Sequence, residues 1–168
     1  MLNLNITVER RVLISYRKFE DIVGSINAAI GHPDMHAFWK EIAATSTFPE
    51  MEAVVQRATG PAGLMEFLRF DHGQFLRKAQ SPAAPVATPR IVRFVIGNPL
   101  IMMAMAKHVH DAGSYAPVTL LVDEREDGVH LSYDTMASYL GSYAQPDALK
   151  VARELDAKVE SLMTSAAG

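Results

Sequence analysis

The sequence predicts an α+β domain, a mainly antiparallel sheet with helices on one face. Three observations predict it. Near Tyr16 the apolar period changes from two to about 3.6 within a few residues, the sign of a strand feeding a helix. Two short apolar runs, 118–122 and 129–133, flank a polar tip that ends in Asp127-Gly128, which reads as a β-hairpin. Strands that follow one another through short connections pair antiparallel. The amphipathic helical stretches then have one sheet face to cover.

Taken in order, Leu4, Ile6, Val8, Val12, Ile14 and Tyr16 alternate with polar residues and predict a first strand with that face buried. Phe19, Ile22, Val23, Ile26 and Ile30 recur at helical spacing up to Gly31, an amphipathic helix with a glycine stop. Residues 32–60 hold two short helical patterns, one starting near Pro33 and one at Pro49. They predict an αα-hairpin laid on the main body. Residues 64–70 read as a strand that ends at Asp71-His72-Gly73, and Phe75, Leu76 and Ala79 add a helical turn. The stretch 81–89 carries three prolines and reads as a surface loop. Residues 91–96 are almost wholly apolar and predict a strand buried on both faces. A Met-rich helix follows from Pro99 to about Ala112, with Gly113 as its stop. After the hairpin, Leu149, Ala152, Leu155, Val159, Leu162 and Met163 mark a long amphipathic helix opened by Pro146. In the hairpin, His130 is out of phase with Val129, Leu131 and Tyr133 and is expected to be exposed.

The 168 residues suit one domain spanning 1–168 with a sizeable core. A net charge of −3 with no basic stripe gives no footprint for nucleic acid. The chain has no cysteine, which excludes disulfides, thiolate metal sites, iron–sulfur clusters and cysteine nucleophiles, and agrees with a cytoplasmic setting. No signal peptide and no membrane-spanning run are expected. A Walker loop, a dinucleotide-binding glycine fingerprint and a serine nucleophile elbow are all absent.

The chain turns on Gly97-Asn98-Pro99. Gly97 permits close approach of backbone or ligand. Asn98, pushed out of the α region by the proline behind it, suits a helix N-cap, with Pro99 at the first helical position. Such a corner either receives a polar ligand at the helix start or is a plain turn. Met102, Met103 and Met105 supply a soft apolar wall that suits a variable apolar ligand or a partner helix and fills ordinary cores just as well. Tyr133 offers a ring with a hydroxyl tip. Upstream, Asp71 and His72 form a possible acid–base pair, with His72 a possible haem or metal ligand. Adjacent strand residues point to opposite faces, so the pair is not automatically a dyad.

Several pieces together resemble the bacterial family known as domain of unknown function 302. They are Phe70-Asp71-His72-Gly73, the run Phe94-Val95-Ile96-Gly97-Asn98-Pro99, Ala116 to Val122, and Val129 to Tyr133. The resemblance covers about three quarters of the chain, with residues 6–30 fitting more loosely. It implies a β-α-β(4)-α core of the TBP-like kind, often dimeric, and no settled activity. Against that pattern residues 32–60 look like a helical insertion. The resulting expectation is a cytoplasmic homodimer that binds a small or amphipathic molecule between the sheet and the corner. Asp71, His72, Gly97, Asn98, Pro99, Met102, Met103 and Tyr133 would form its site. The rivals are an enzyme using His72 as general acid–base with Asp71, and an assembly protein whose Met-rich helix is an interface.

Overall fold

The computed structural model describes residues 3–80 and 88–168. Most of the proline-rich connection expected over 81–89 therefore lies outside the described residues. The strands are β1 (Arg10–Ser15), β2 (Met65–Asp71), β3 (Ile91–Gly97), β4 (Val118–Arg125) and β5 (Gly128–Asp134). They form one antiparallel sheet in the order β1-β5-β4-β3-β2. The helices are α1 (Phe19–Ala29), α2 (Met35–Ala44), α3 (Phe48–Ala58), α4 (His72–Ala79), α5 (Pro99–Ala106), α6 (Ala112–Tyr115), α7 (Met136–Leu140) and α8 (Pro146–Ala167). The fold is α+β, and among the described residues no helix is long and apolar enough to cross a membrane.

One sheet face carries the main core. Phe94, Ile96, Leu120, Val122 and Leu131 pack there with Ile22 and Ile26 of α1 and Leu155 and Val159 of α8. The other face is open. Its residues, read across the register, are Leu68 and Phe70, then Ile91, Arg93 and Val95, then Thr119, Leu121 and Asp123, then His130, Ser132 and Asp134, and finally Arg10, Val12 and Ile14.

That register corrects three expectations. The buried side of β1 is the opposite of the expected one. Leu13 packs on the core and the Ser15 hydroxyl donates to Ala167 O at 2.8 Å, while Val12, Ile14 and Tyr16 are exposed. Alternation fixes which residues share a face but not which face meets the helices. Strand β3 is covered on one side only, because α1 and α8 lie on the same face. His130, on the open face, is nonetheless buried, with Nε2 2.8 Å from Asp127 Oδ1.

The Met-rich helix stops at Ala106, where the Lys107 N–H is shared between Met103 O and Met105 O, and Gly113 falls inside α6. The run Lys107-His108 with His110-Asp111 breaks the apolar period there. The short α7 has no local signal. Its first two N–H groups are capped from across the fold by Asp156.

The helical pair forms as expected. The Asp34 side chain accepts from Ala37 N at 2.7 Å at the start of α2. Thr47 and Glu50 make a capping box at α3 with Pro49 in its first turn. The pair builds a second, smaller core from Phe38, Val54, Val55 and Met65. Its attachment is a backbone joint: Gly31 N and Gly60 N both donate to Leu64 O, at 2.9 and 3.0 Å, and Glu66 N donates to Gly31 O at 2.8 Å.

Candidate functional site

Strand β3 runs out at Gly97, and α5 begins two residues later. Asn98 is extended, and its Oδ1 accepts from Leu100 N at 2.9 Å, so it caps α5. Its Nδ2 donates to Gly63 O at 3.0 Å. One bond at each end of the amide is thereby engaged with backbone, which fixes its orientation and leaves the second Nδ2 proton for the polar contact expected of Asn98.

Beside this corner lies an apolar hollow of about 190 Å³. Gly97, Asn98, Pro99, Met102 and Met105 form one side of it, Trp39 and Phe67 another, and Ala116, Pro117, Val118 and Leu155 close it. Each wall has a local cause. Gly97 lets the strand end come close to its neighbours, since a Cβ there would lie 3.3 Å from Pro117 Cβ and 3.5 Å from Phe67 Cε2. Phe67 sits where the β2–β3 register slips between Glu66 and Leu68, a bulge that re-aims its ring. Trp39 arrives from α2, half exposed, with its ring 5.0 Å from Phe38 and 6.5 Å from Phe67.

Of the eight residues expected in one site, four line this hollow: Gly97, Asn98, Pro99 and Met102. The other four lie elsewhere. Met103 is one position and about 100° further round the helix and is partly exposed. Tyr133 points into the main core, with its hydroxyl donating to Asp156 Oδ1 at 2.6 Å. Burial and the Asp156 carboxylate raise its pKa strongly, so it stays a neutral phenol.

Asp71 and His72 sit at the wrong end of the sheet for this corner. Antiparallel pairing sets Met65 opposite Gly97 and Asp71 opposite Val92. Five residues at about 3.3 Å each separate the two places by roughly 17 Å. Asp71 caps α4, accepting from Gln74 N at 2.9 Å, and binds Arg77 Nη2 at 2.8 Å. Partial burial raises the Asp71 carboxyl, but Arg77 and the N–H groups of Gln74 and Gly73 outweigh it and hold it below its ordinary value. His72, the first residue of α4, stacks on Phe70 with ring centres 5.7 Å apart. The Asp71 oxygens are engaged by Gln74 and Arg77, so they do not orient the imidazole. Among the described residues no group of three or more His, Asp or Glu side chains is placed to hold a metal ion.

Trp39, Phe67, Ala116, Pro117, Val118 and Leu155 escaped the sequence reading as site residues, while Met105 was read only as part of the methionine wall. Pro117 stood closest to a signal, since it falls immediately before an apolar strand and next to Ala116 in the family-like segment. Trp39 and Leu155 carry only helical periodicity, which reads as core.

A model of the family described as Domain of unknown function DUF302 matches residues 40–166. The match begins inside α2 and runs through nearly all of α8. Among solved structures, the crystal structure of an uncharacterized conserved protein DUF302 from Bacillus stearothermophilus superposes with a TM-score of 0.63 at 9% identity, covering 94% of this chain and 97% of that one. At that identity the likeness shows the fold alone. No curated protein matches the chain.

Proposed function

The chain belongs to the DUF302 family, for which no activity is settled, and from that premise we propose that it binds a small apolar or amphipathic molecule in the hollow beside Gly97-Asn98-Pro99. The observation that supports this reading is the hollow itself. It is lined almost wholly by apolar side chains, half-exposed Trp39 is on its wall, and Asn98 there is held by one backbone bond at each end of its amide. An apolar cavity of about 150 Å³ stays dry and takes up benzene. A space of about 190 Å³ suits a molecule of one ring or a short branched chain.

The chain's single tryptophan, Trp39, lies on that wall and reports on it. Titration with toluene is expected to shift Trp39 emission saturably. Gly97→Val projects methyl groups towards Pro117 and Phe67 into the space, and it is expected to abolish the shift while the far-UV spectrum is retained. A linear, unsaturable response in the native protein would sink the reading.

The helical pair, which we read as an insertion into the family core, then serves as the movable wall of the hollow through Trp39. The assembly reading draws on a separate observation: Val12, Ile14, Tyr16, Leu68 and Phe70 are exposed on the open sheet face or its edge. We take the β1 edge of this face, Val12, Ile14 and Tyr16, as the surface on which two copies meet, in a cytoplasmic homodimer with no nucleic-acid partner. The acid–base reading of His72 loses its support, because Asp71 is committed to Arg77 and to the start of α4.

A further inference from the structure

The open sheet face carries a cation without a partner. Arg10, Arg69, Arg90 and Arg125, all on or beside the sheet, each hold a carboxylate: Asp134, Glu66, Glu124 and Asp123. Arg93 does not. It stands on β3, an interior strand, half-buried, and among the described residues no carboxylate lies within ion-pair reach of it. Its Nε and Nη2 donate to the Thr119 hydroxyl at 3.3 and 3.0 Å, and the Phe70 ring lies 5.8 Å away. Two donors therefore converge on one neutral oxygen, and Nη1 is left without a protein acceptor. A partly desolvated guanidinium ordinarily gains an anion.

In front of it is a hollow of about 330 Å³, whose polar and aromatic lining is Arg93, Ser114, Tyr115, Thr119, Asp134 and Tyr139 and which shares the Pro117 and Val118 wall with the apolar hollow. Tyr115 and Tyr139, both on its lining, stack nearly parallel with ring centres 4.7 Å apart. Asp134 is the only acid on that lining, and Arg10 already neutralises it through two hydrogen bonds of 2.6 and 2.8 Å. The Arg93 charge is left uncancelled. Thr119 accepts from Arg93, so its own proton is free to be donated.

We propose that this hollow is a second binding site, separate from the apolar one, and that it takes a small planar organic carboxylate. Arg93 supplies the guanidinium fork, Thr119 and Ser114 supply hydroxyl donors, and the tyrosine pair supplies a surface for a flat ligand body. A fork matches the two oxygens of a carboxylate better than it matches a neutral amide.

Benzoate tests it, with benzamide as the neutral isostere and inorganic phosphate as a non-planar anion, all by titration calorimetry on the whole chain. Benzoate is expected to bind about tenfold or more tightly than benzamide, and Arg93→Gln is expected to cost a similar factor. The toluene response at Trp39 should be unchanged in that variant. Amide shift mapping on the native protein, which needs no variant to fold, should move Arg93, Thr119 and Ser114. The proposal is overturned if benzoate does not bind, if it moves amides elsewhere, or if Arg93→Gln binds it as the native chain does. It is equally overturned if phosphate or benzamide matches benzoate, since the site would then read charge alone or shape alone.

Discussion

Asp156 shows how much one buried acid can do for the fold. Its Oδ1 accepts from the Tyr133 hydroxyl and from Met136 N, and its Oδ2 accepts from Ala137 N at 3.0 Å. One side chain on α8 thus caps α7 and ties down β5. Tyr133→Phe removes one donor from a carboxylate that keeps two others, and should cost about 1–3 kcal/mol of unfolding free energy in urea. Asp156→Ala strips all three bonds at once and should cost more than the tyrosine change. Tyr133 was legible as a residue of chemical interest but not in its role, because its partner is 23 positions away in sequence. The Arg10–Asp134 pair has a pH signature. Arg10 holds the Asp134 carboxyl below its ordinary value. A carboxyl whose pKa is lowered by folding adds stability at pH values above its unfolded pKa, and that stability is lost as pH falls through the folded one. Asp134→Asn is therefore expected to narrow its gap from the native chain below about pH 4, with both destabilised by acid. Parallel acid titrations followed by circular dichroism check it.

At the scale of elements, the structure depends on a joint between two glycines. A Cβ on Gly31 would collide with the Ala58 carbonyl, and one on Gly60 with the backbone of Ile30 and Gly31. Both residues donate to Leu64 O, so the end of α1, the end of α3 and the approach to β2 share one carbonyl. Gly31→Ala must push these apart. It should loosen the α2–α3 pair before it unfolds the sheet, and Trp39 emission should shift towards red at denaturant concentrations where the far-UV signal is still native. A single coincident transition would count against the joint. From sequence, the two glycines were readable as helix stops; the helices instead end at Ala29 and Ala58 on the extended caps Ile30 and Thr59, neither glycine takes positive φ, and their mutual contact was not readable. The same limit applies to the corner and the Asp71-His72 pair. Each was legible as a local feature: a cap, a strand end, a helix start. Whether they share a site depended on strand direction. An antiparallel β2–β3 pair places the end of one strand beside the start of the other, so residues that close one strand cannot meet residues that close the next. The hairpin-rich order that predicted the antiparallel sheet contained that conclusion.

For the whole molecule, the open sheet face raises the question of what covers it. The α+β class, the major strands and the long last helix were legible because periodicity and turn chemistry are local. The side of β1 that faces the helices was not, since Val12 and Ile14 look like core residues to any periodicity argument. Their exposure is itself informative: apolar β-branched residues on an edge strand invite pairing unless something blocks them. The charges nearby do not block it outright, because Arg10 and Arg125 are already paired with Asp134 and Asp123. A second copy offering the same β1 edge would remove Val12 and Ile14 from water and leave Arg93, three strands away on β3, uncovered. Burying a side chain of this size fully is worth about 1.5–3 kcal/mol. These side chains are about half covered in the single chain, so each gains only part of that value, and two copies contribute two sets. Light scattering behind a sizing column should then give twice the 18.4 kDa chain mass. Ile14→Glu, which places a carboxylate on that edge, should return the mass to one chain without lowering the thermal midpoint of the monomer. If the native chain already elutes as a monomer at concentrations of tens of micromolar, the face has no self-partner, and its exposed residues are left to the ligand chemistry around Arg93.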